Sequence, residues 1–97
     1  MARRRYLVCY DIADQYRLRK VHAYVKGQGD PLQYSVFVCD LNPVEKVDLM
    51  FRLRQLINEG ADRVAIIDLG EVGSTRATPI EFLGRKHRLP QLGPVIV

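Results

Sequence analysis

A chain of 97 residues is long enough for one compact domain and too short for two, so a large ligand would need a second subunit to complete its site. With 47% apolar and 27% charged residues, the composition is that of a globular domain and excludes a disordered tail. The net charge is +4 and eleven of the 15 Lys and Arg residues are Arg, the side chain best shaped for bidentate phosphate recognition. That balance is compatible with a polyanionic partner and also with an ordinary basic surface.

No run approaches the roughly 20 apolar residues of a membrane span. The opening MARRR leads straight into a strand pattern without a signal-peptide core, so the expected location is cytoplasmic, with no membrane partner. Cys9 and Cys39 each lie inside an apolar strand pattern without CxxC spacing, which reads as two small buried hydrophobes rather than a zinc or redox site.

Residues 5–12, RYLVCYDI, predict a buried strand whose alternation places Leu7, Cys9 and Asp11 on one face and Tyr6, Val8 and Tyr10 on the other. Asp11 thus ends an otherwise apolar row. Asp14 is a good helix N-cap, Leu18, Val21 and Val25 recur at helical spacing, and Gly27 and Gly29 stop a helix over 14–26. Arg17, Arg19 and Lys20 lie in its early turns. A turn at Asp30 and Pro31 precedes residues 32–41, LQYSVFVCDL, either one bent strand or two short ones.

Asn42, Pro43 and Glu45 have the cap residue, first-turn proline and third-position glutamate of a capping box, and the following helix carries a stripe of Leu49, Met50, Leu53, Leu56 and Ile57 before Gly60. Residues 62–69 form a strand apolar on both faces, which belongs in the middle of a sheet or against a partner. Beyond Glu71 the pattern weakens to a loop, a short element at Ile80, Phe82 and Leu83, a basic stretch over 84–88, and an apolar 94–97 suited to an added edge strand on a neighbour's sheet.

The order predicts an α+β, ferredoxin-like βαββαβ sandwich with both helices on one face of the sheet and an extra C-terminal strand. Within a single domain, residues 1–70 are the core and 71–97 a loop and strand completing the dimer. The uncovered sheet face points to a homodimer packed sheet to sheet.

Three stretches carry a resemblance: YLVCYDI at 6–12 with RLRKV at 17–21, LQYSVF at 32–37, and IIDLG at 66–70. In this order and spacing the chain resembles the CRISPR-associated Cas-two family over about residues 5–70. The resemblance implies a ferredoxin-like homodimer, partnership with the Cas-one integrase in spacer acquisition, and metal-dependent endonuclease activity on single-stranded RNA or double-stranded DNA. The chain departs from that pattern at 38–40, VCD, where many members carry an acidic residue or glycine.

Asp11, a carboxylate at a strand end beside a loop and a helix start, is the candidate ligand for Mg²⁺ or Mn²⁺ and the candidate catalytic residue, more credible as half of a two-fold pair than alone. Its plain alternative is a capping aspartate. Tyr10 either flanks that site or packs. Arg17, Arg19 and Lys20 are candidates for phosphate contact, or simply a solvated helix face. Ser35 and Phe37 belong to the family pattern and are candidates for nucleic-acid contact, Phe37 with a competing reading as core. Two other functions fit the same residues: a catalytically silent dimeric DNA scaffold of the integration complex, and a related toxin ribonuclease.

Overall fold

The computed structural model describes residues 2–73 and 80–84. The elements in chain order are β1 (Arg4–Asp11), α1 (Gln15–Lys26), β2 (Asp30–Gln33), β3 (Val36–Leu41), α2 (Pro43–Leu56) and β4 (Arg63–Glu71). They build a four-stranded antiparallel sheet in the order β2-β3-β1-β4, with two helices packed on one face. This is the expected ferredoxin-like α+β arrangement.

Both helix starts form as their sequences dictate. The Asp14 carboxylate accepts from the Arg17 amide at the head of α1. At the head of α2, the Asn42 side chain accepts from the Glu45 amide while the Glu45 carboxylate accepts from the Asn42 amide. Arg3 also donates to Glu45, tying the chain's start to this cap.

The alternation of β1 places Tyr6, Val8 and Tyr10 toward the helices, where Val21 and Val25 of α1, Phe37, Cys39 and Leu41 of β3, and Leu49 and Leu53 of α2 meet them. Val8, Val21, Val25, Phe37, Cys39 and Leu49 are almost completely buried, and each large apolar side chain so placed is worth about 1.5–3 kcal/mol of transfer free energy. Met50, counted in the apolar stripe of α2, is 43% exposed, because the stripe needed to cover the sheet is narrower and centres on Leu49 and Leu53.

Of the two forms open for residues 32–41, the structure takes two short strands: Tyr34 and Ser35 form the turn of a β-hairpin, so part of the LQYSVF stretch lies at a bend. The strand also begins earlier, at Asp30, since Pro31 is tolerated on an edge strand where its missing N–H faces no partner. Of the two settings open for the doubly apolar β4, the middle of the sheet is not the one found: among the described residues it pairs only with β1, and Ile67 is 47% exposed. Its pairing slips by one residue opposite Arg5 and Tyr6, where Gly70 adopts φ 106°.

Gly29 does more than follow a helix end. A Cβ there would lie 2.2 Å from the Val38 carbonyl oxygen and 2.6 Å from Cys39 Sγ, so the α1–β2 connection presses its backbone against β3. Gly29→Ala is expected to destabilise the fold by about 1–3 kcal/mol in chemical denaturation, as overpacking does. An unchanged midpoint would refute that close approach.

No helix among the described residues is long and apolar enough to cross a membrane. Near the chain end Glu81 makes an isolated bridge and Leu83 is exposed, without the short regular element expected around Ile80 to Leu83. The basic stretch at 85–88 and the apolar 94–97 lie outside the described residues.

Candidate functional site

Asp11 is the last residue of β1 and shares a face with Arg5, Leu7 and Cys9, the sheet face turned away from the helices. Its side chain is 75% exposed and its one side-chain partner among the described residues is Arg63, whose Nη2 lies 3.1 Å from Oδ2 on the paired position of β4. An exposed ion pair of this kind holds weakly and gives way readily to a competing cation.

The backbone around Asp11 is held much more firmly than its side chain. On one side, the Tyr10 amide donates to the Ser35 carbonyl and the buried Tyr10 hydroxyl donates to the Tyr34 carbonyl at 3.0 Å, beside His22 Nδ1 at 2.8 Å. On the other, Ile12 is buried and the Ala13 amide donates to Asp62 at 2.9 Å. The carboxylate is thus presented to solvent from an anchored strand end, the arrangement a ligand-binding residue needs.

Asp62 is the residue that sequence reasoning missed. Its carboxylate is fully buried and accepts from Arg17 Nε (2.8 Å) and Nη2 (3.1 Å), the Ala13 amide (2.9 Å) and the Asn58 amide (2.8 Å). The Arg17 guanidinium, helped by the two amides, holds the Asp62 carboxyl far below the ordinary carboxylate range, against the opposing effect of burial. One side chain therefore joins the β1–α1 loop, the first turn of α1 and the α2–β4 connection. No sequence motif marks it; its neighbours come from segments up to 49 residues away.

The structure separates the remaining candidates. Tyr10 points toward the helices, opposite to Asp11, because successive side chains of a strand face opposite ways. Burial, with the Tyr34 phenol nearby, pushes its hydroxyl up to about 12, so at neutral pH it is a proton-bearing donor that fixes the strand end rather than a base beside Asp11. Phe37 is 1% exposed, stacked 6.4 Å from Tyr10 and edge-on to His22, and offers no ring face to a base. Ser35 lies half-buried in the hairpin turn, using its carbonyl to hold Tyr10. Arg17 spends its fork on Asp62, whereas Arg19 is exposed and Lys20 lies over the Tyr16 ring at 4.5 Å.

A carboxylate is a suitable ligand for a hard divalent cation. Among the described residues, however, no group of three or more His, Cys, Asp or Glu is placed to hold a metal. Two chains meeting on this sheet face would bring two Asp11 carboxylates together.

The family model described as CRISPR associated protein Cas2 matches residues 4–76. A CRISPR-associated endonuclease Cas2 from Thermus thermophilus is 39% identical over 97 residues, covering 100% of this chain and 99% of its own. A CRISPR-associated endoribonuclease Cas2 from Rhodospirillum rubrum is 41% identical over 80 residues, 82% of this chain and 78% of its own. Among solved structures, a hypothetical protein of Thermus thermophilus, TT1823, superposes with a TM-score of 0.75 at 35% identity, covering 86% of this chain and 93% of that one. Streptococcus pyogenes Cas2, crystallised at pH 6.5, superposes with a TM-score of 0.60 at 36% identity over 64% of this chain and 81% of that one. With a family model spanning β1 to the end of β4, the chain belongs to the CRISPR-associated Cas2 family.

Proposed function

We propose that this protein is a metal-dependent endonuclease of CRISPR adaptation, cleaving single-stranded RNA or double-stranded DNA as a two-fold homodimer and working beside the Cas-one integrase in spacer acquisition. The observation that carries this reading is the placement of Asp11: an exposed carboxylate on an anchored strand end, on the sheet face turned away from the helices, where no group of three or more metal-ligating side chains forms among the described residues. The same face carries Leu7, Cys9, Val36, Ala65 and the exposed Ile67, apolar surface that a second copy would cover. The names of the relatives, endonuclease and endoribonuclease, support the reaction class.

In this reading two Asp11 carboxylates would hold Mg²⁺ or Mn²⁺, and the ion would supply activation of water and charge neutralisation at the phosphate. This chain's own contributions are the anchored Asp11, the adjacent Arg63 cation, and the exposed Arg19 and Lys20 of α1 for phosphate contact. Sedimentation should give a dimer, and cleavage of single-stranded RNA or duplex DNA should stop in EDTA and return with added Mg²⁺ or Mn²⁺. A monomer, or cleavage indifferent to chelation, would reject it.

One observation favours a second reading, the catalytically silent DNA scaffold: Asp11 already has a cationic partner in Arg63. A dimer that binds duplex DNA and cleaves nothing with either metal would support that function instead.

A further inference from the structure

Tyr34 and His22 form a stacked pair whose exposed face is not part of the Asp11 site. Their ring centroids are 4.1 Å apart with planes 9° from parallel, and Tyr34 stands 58% exposed at the tip of the β2–β3 turn. One face of the phenol is covered by the imidazole, so the exposure belongs to its edge and opposite face.

The support beneath Tyr34 is rigid. His22 Nδ1 lies 2.8 Å from the Tyr10 hydroxyl and 3.1 Å from the Tyr34 carbonyl, and the buried Phe37 ring packs edge-on at 5.6 Å. If Tyr10 donates to that carbonyl and His22 Nδ1–H donates to both oxygens, the three atoms share their hydrogen bonds without a donor–donor conflict. An exposed aromatic braced in one orientation pays little conformational entropy on binding, which is what a stacking surface requires. The exposed Tyr16 differs, since Lys20 already occupies its face.

Charge completes the arrangement. Arg19 and Lys26 lie three residues before and four after His22, on the same stripe of α1, and both are exposed. Neither forms a salt bridge among the described residues. A flat exposed ring stacked on a helix stripe that also carries two exposed cations matches an unstacked nucleobase with neighbouring phosphates.

We infer that Tyr34, stacked on His22 and flanked by Arg19 and Lys26, is a nucleobase platform that binds single-stranded nucleic acid. The inference rests on the nucleic-acid reading above and specifies its substrate as a strand with accessible bases. Duplex DNA hides those ring faces and would engage only the cations.

The test measures binding in EDTA, where cleavage plays no part, using the full chain and a fluorescein-labelled single-stranded RNA of about 10 nucleotides. Tyr34→Ala should weaken binding by about 10-fold, whereas Tyr34→Phe should stay within about 2-fold of the parent, because stacking needs the ring and not the hydroxyl. The chain has no Trp, so Tyr34→Trp creates a single reporter whose emission should be quenched by the single strand and not by a blunt duplex. Tyr34 is exposed at a turn and its carbonyl remains in every variant, so unchanged melting separates lost stacking from lost fold. Equal affinities for parent and Tyr34→Ala, or unquenched Trp in a formed complex, would overturn the platform alone. A parent protein that binds no nucleic acid at all would overturn it together with the function on which it rests.

Discussion

Asp11→Ala should lower metal-dependent cleavage by about 100-fold or more while shifting the melting temperature by no more than about 3 °C. The expected asymmetry comes from where the residue sits. Its side chain is 75% exposed and among the described residues meets only Arg63, itself 85% exposed, so folding gains little from the pair. Its backbone is held independently by the bonds of Tyr10 and Ala13, which the substitution leaves in place. In the proposed two-fold site, by contrast, a metal shared between two such carboxylates would lose both at once in the variant. Cleavage rates with Mg²⁺ and Mn²⁺, alongside sedimentation to establish that the dimer persists, would measure this. Unchanged cleavage by an intact dimer would remove Asp11 from the chemistry. Spacer acquisition that survives the substitution would favour the scaffold function, whereas acquisition lost with DNA binding retained would favour a required hydrolysis.

Asp62→Ala should act in the opposite way, through stability. It leaves the Ala13 and Asn58 amides without their acceptor and strips the Arg17 fork of its partner, in a place where the carboxylate is fully buried. Unsatisfied buried donors are costly, and a fall in melting temperature of roughly 10 °C or more is expected. The pH dependence has a definite sign. The Asp62 pKa is lowered on folding, chiefly by the Arg17 hydrogen bond, so its contribution is fully present above the unfolded carboxylate value of about 4 and is lost as pH falls below it. Thermal melts from neutral pH down to about pH 2 should therefore show a shallower acid-side decline in Asp62→Asn than in the parent. A parallel decline in both proteins would show that the ion pair does not set acid stability. Because the Asp62 cluster fixes the loop directly after Asp11, Asp62 variants are also expected to cleave poorly, but with a lowered melting temperature that Asp11→Ala does not share.

Local physical chemistry was enough for much of this fold. The two faces of β1, the Asp14 cap, the Asn42–Glu45 capping box and the core positions Val21, Val25, Leu49 and Leu53 follow from periodicity and capping rules, because each depends on residues no more than a few positions apart. The strand-end position of Asp11 was legible for the same reason, and its 75% exposure came from the tertiary structure. Tertiary structure alone decided which candidates could share a site. Tyr10 and Phe37 went into the helix-covered core, and Arg17 was taken by Asp62, a residue 45 positions away without a local signature. The hairpin turn at Tyr34 and Ser35, which divides residues 32–41 into two short strands, carried Tyr34 out of the strand pattern and onto His22. Sequence thus determined the elements and their faces, where neighbours along the chain supply the partners. Which polar and aromatic side chains remained free for function was decided only when distant segments met and claimed the others.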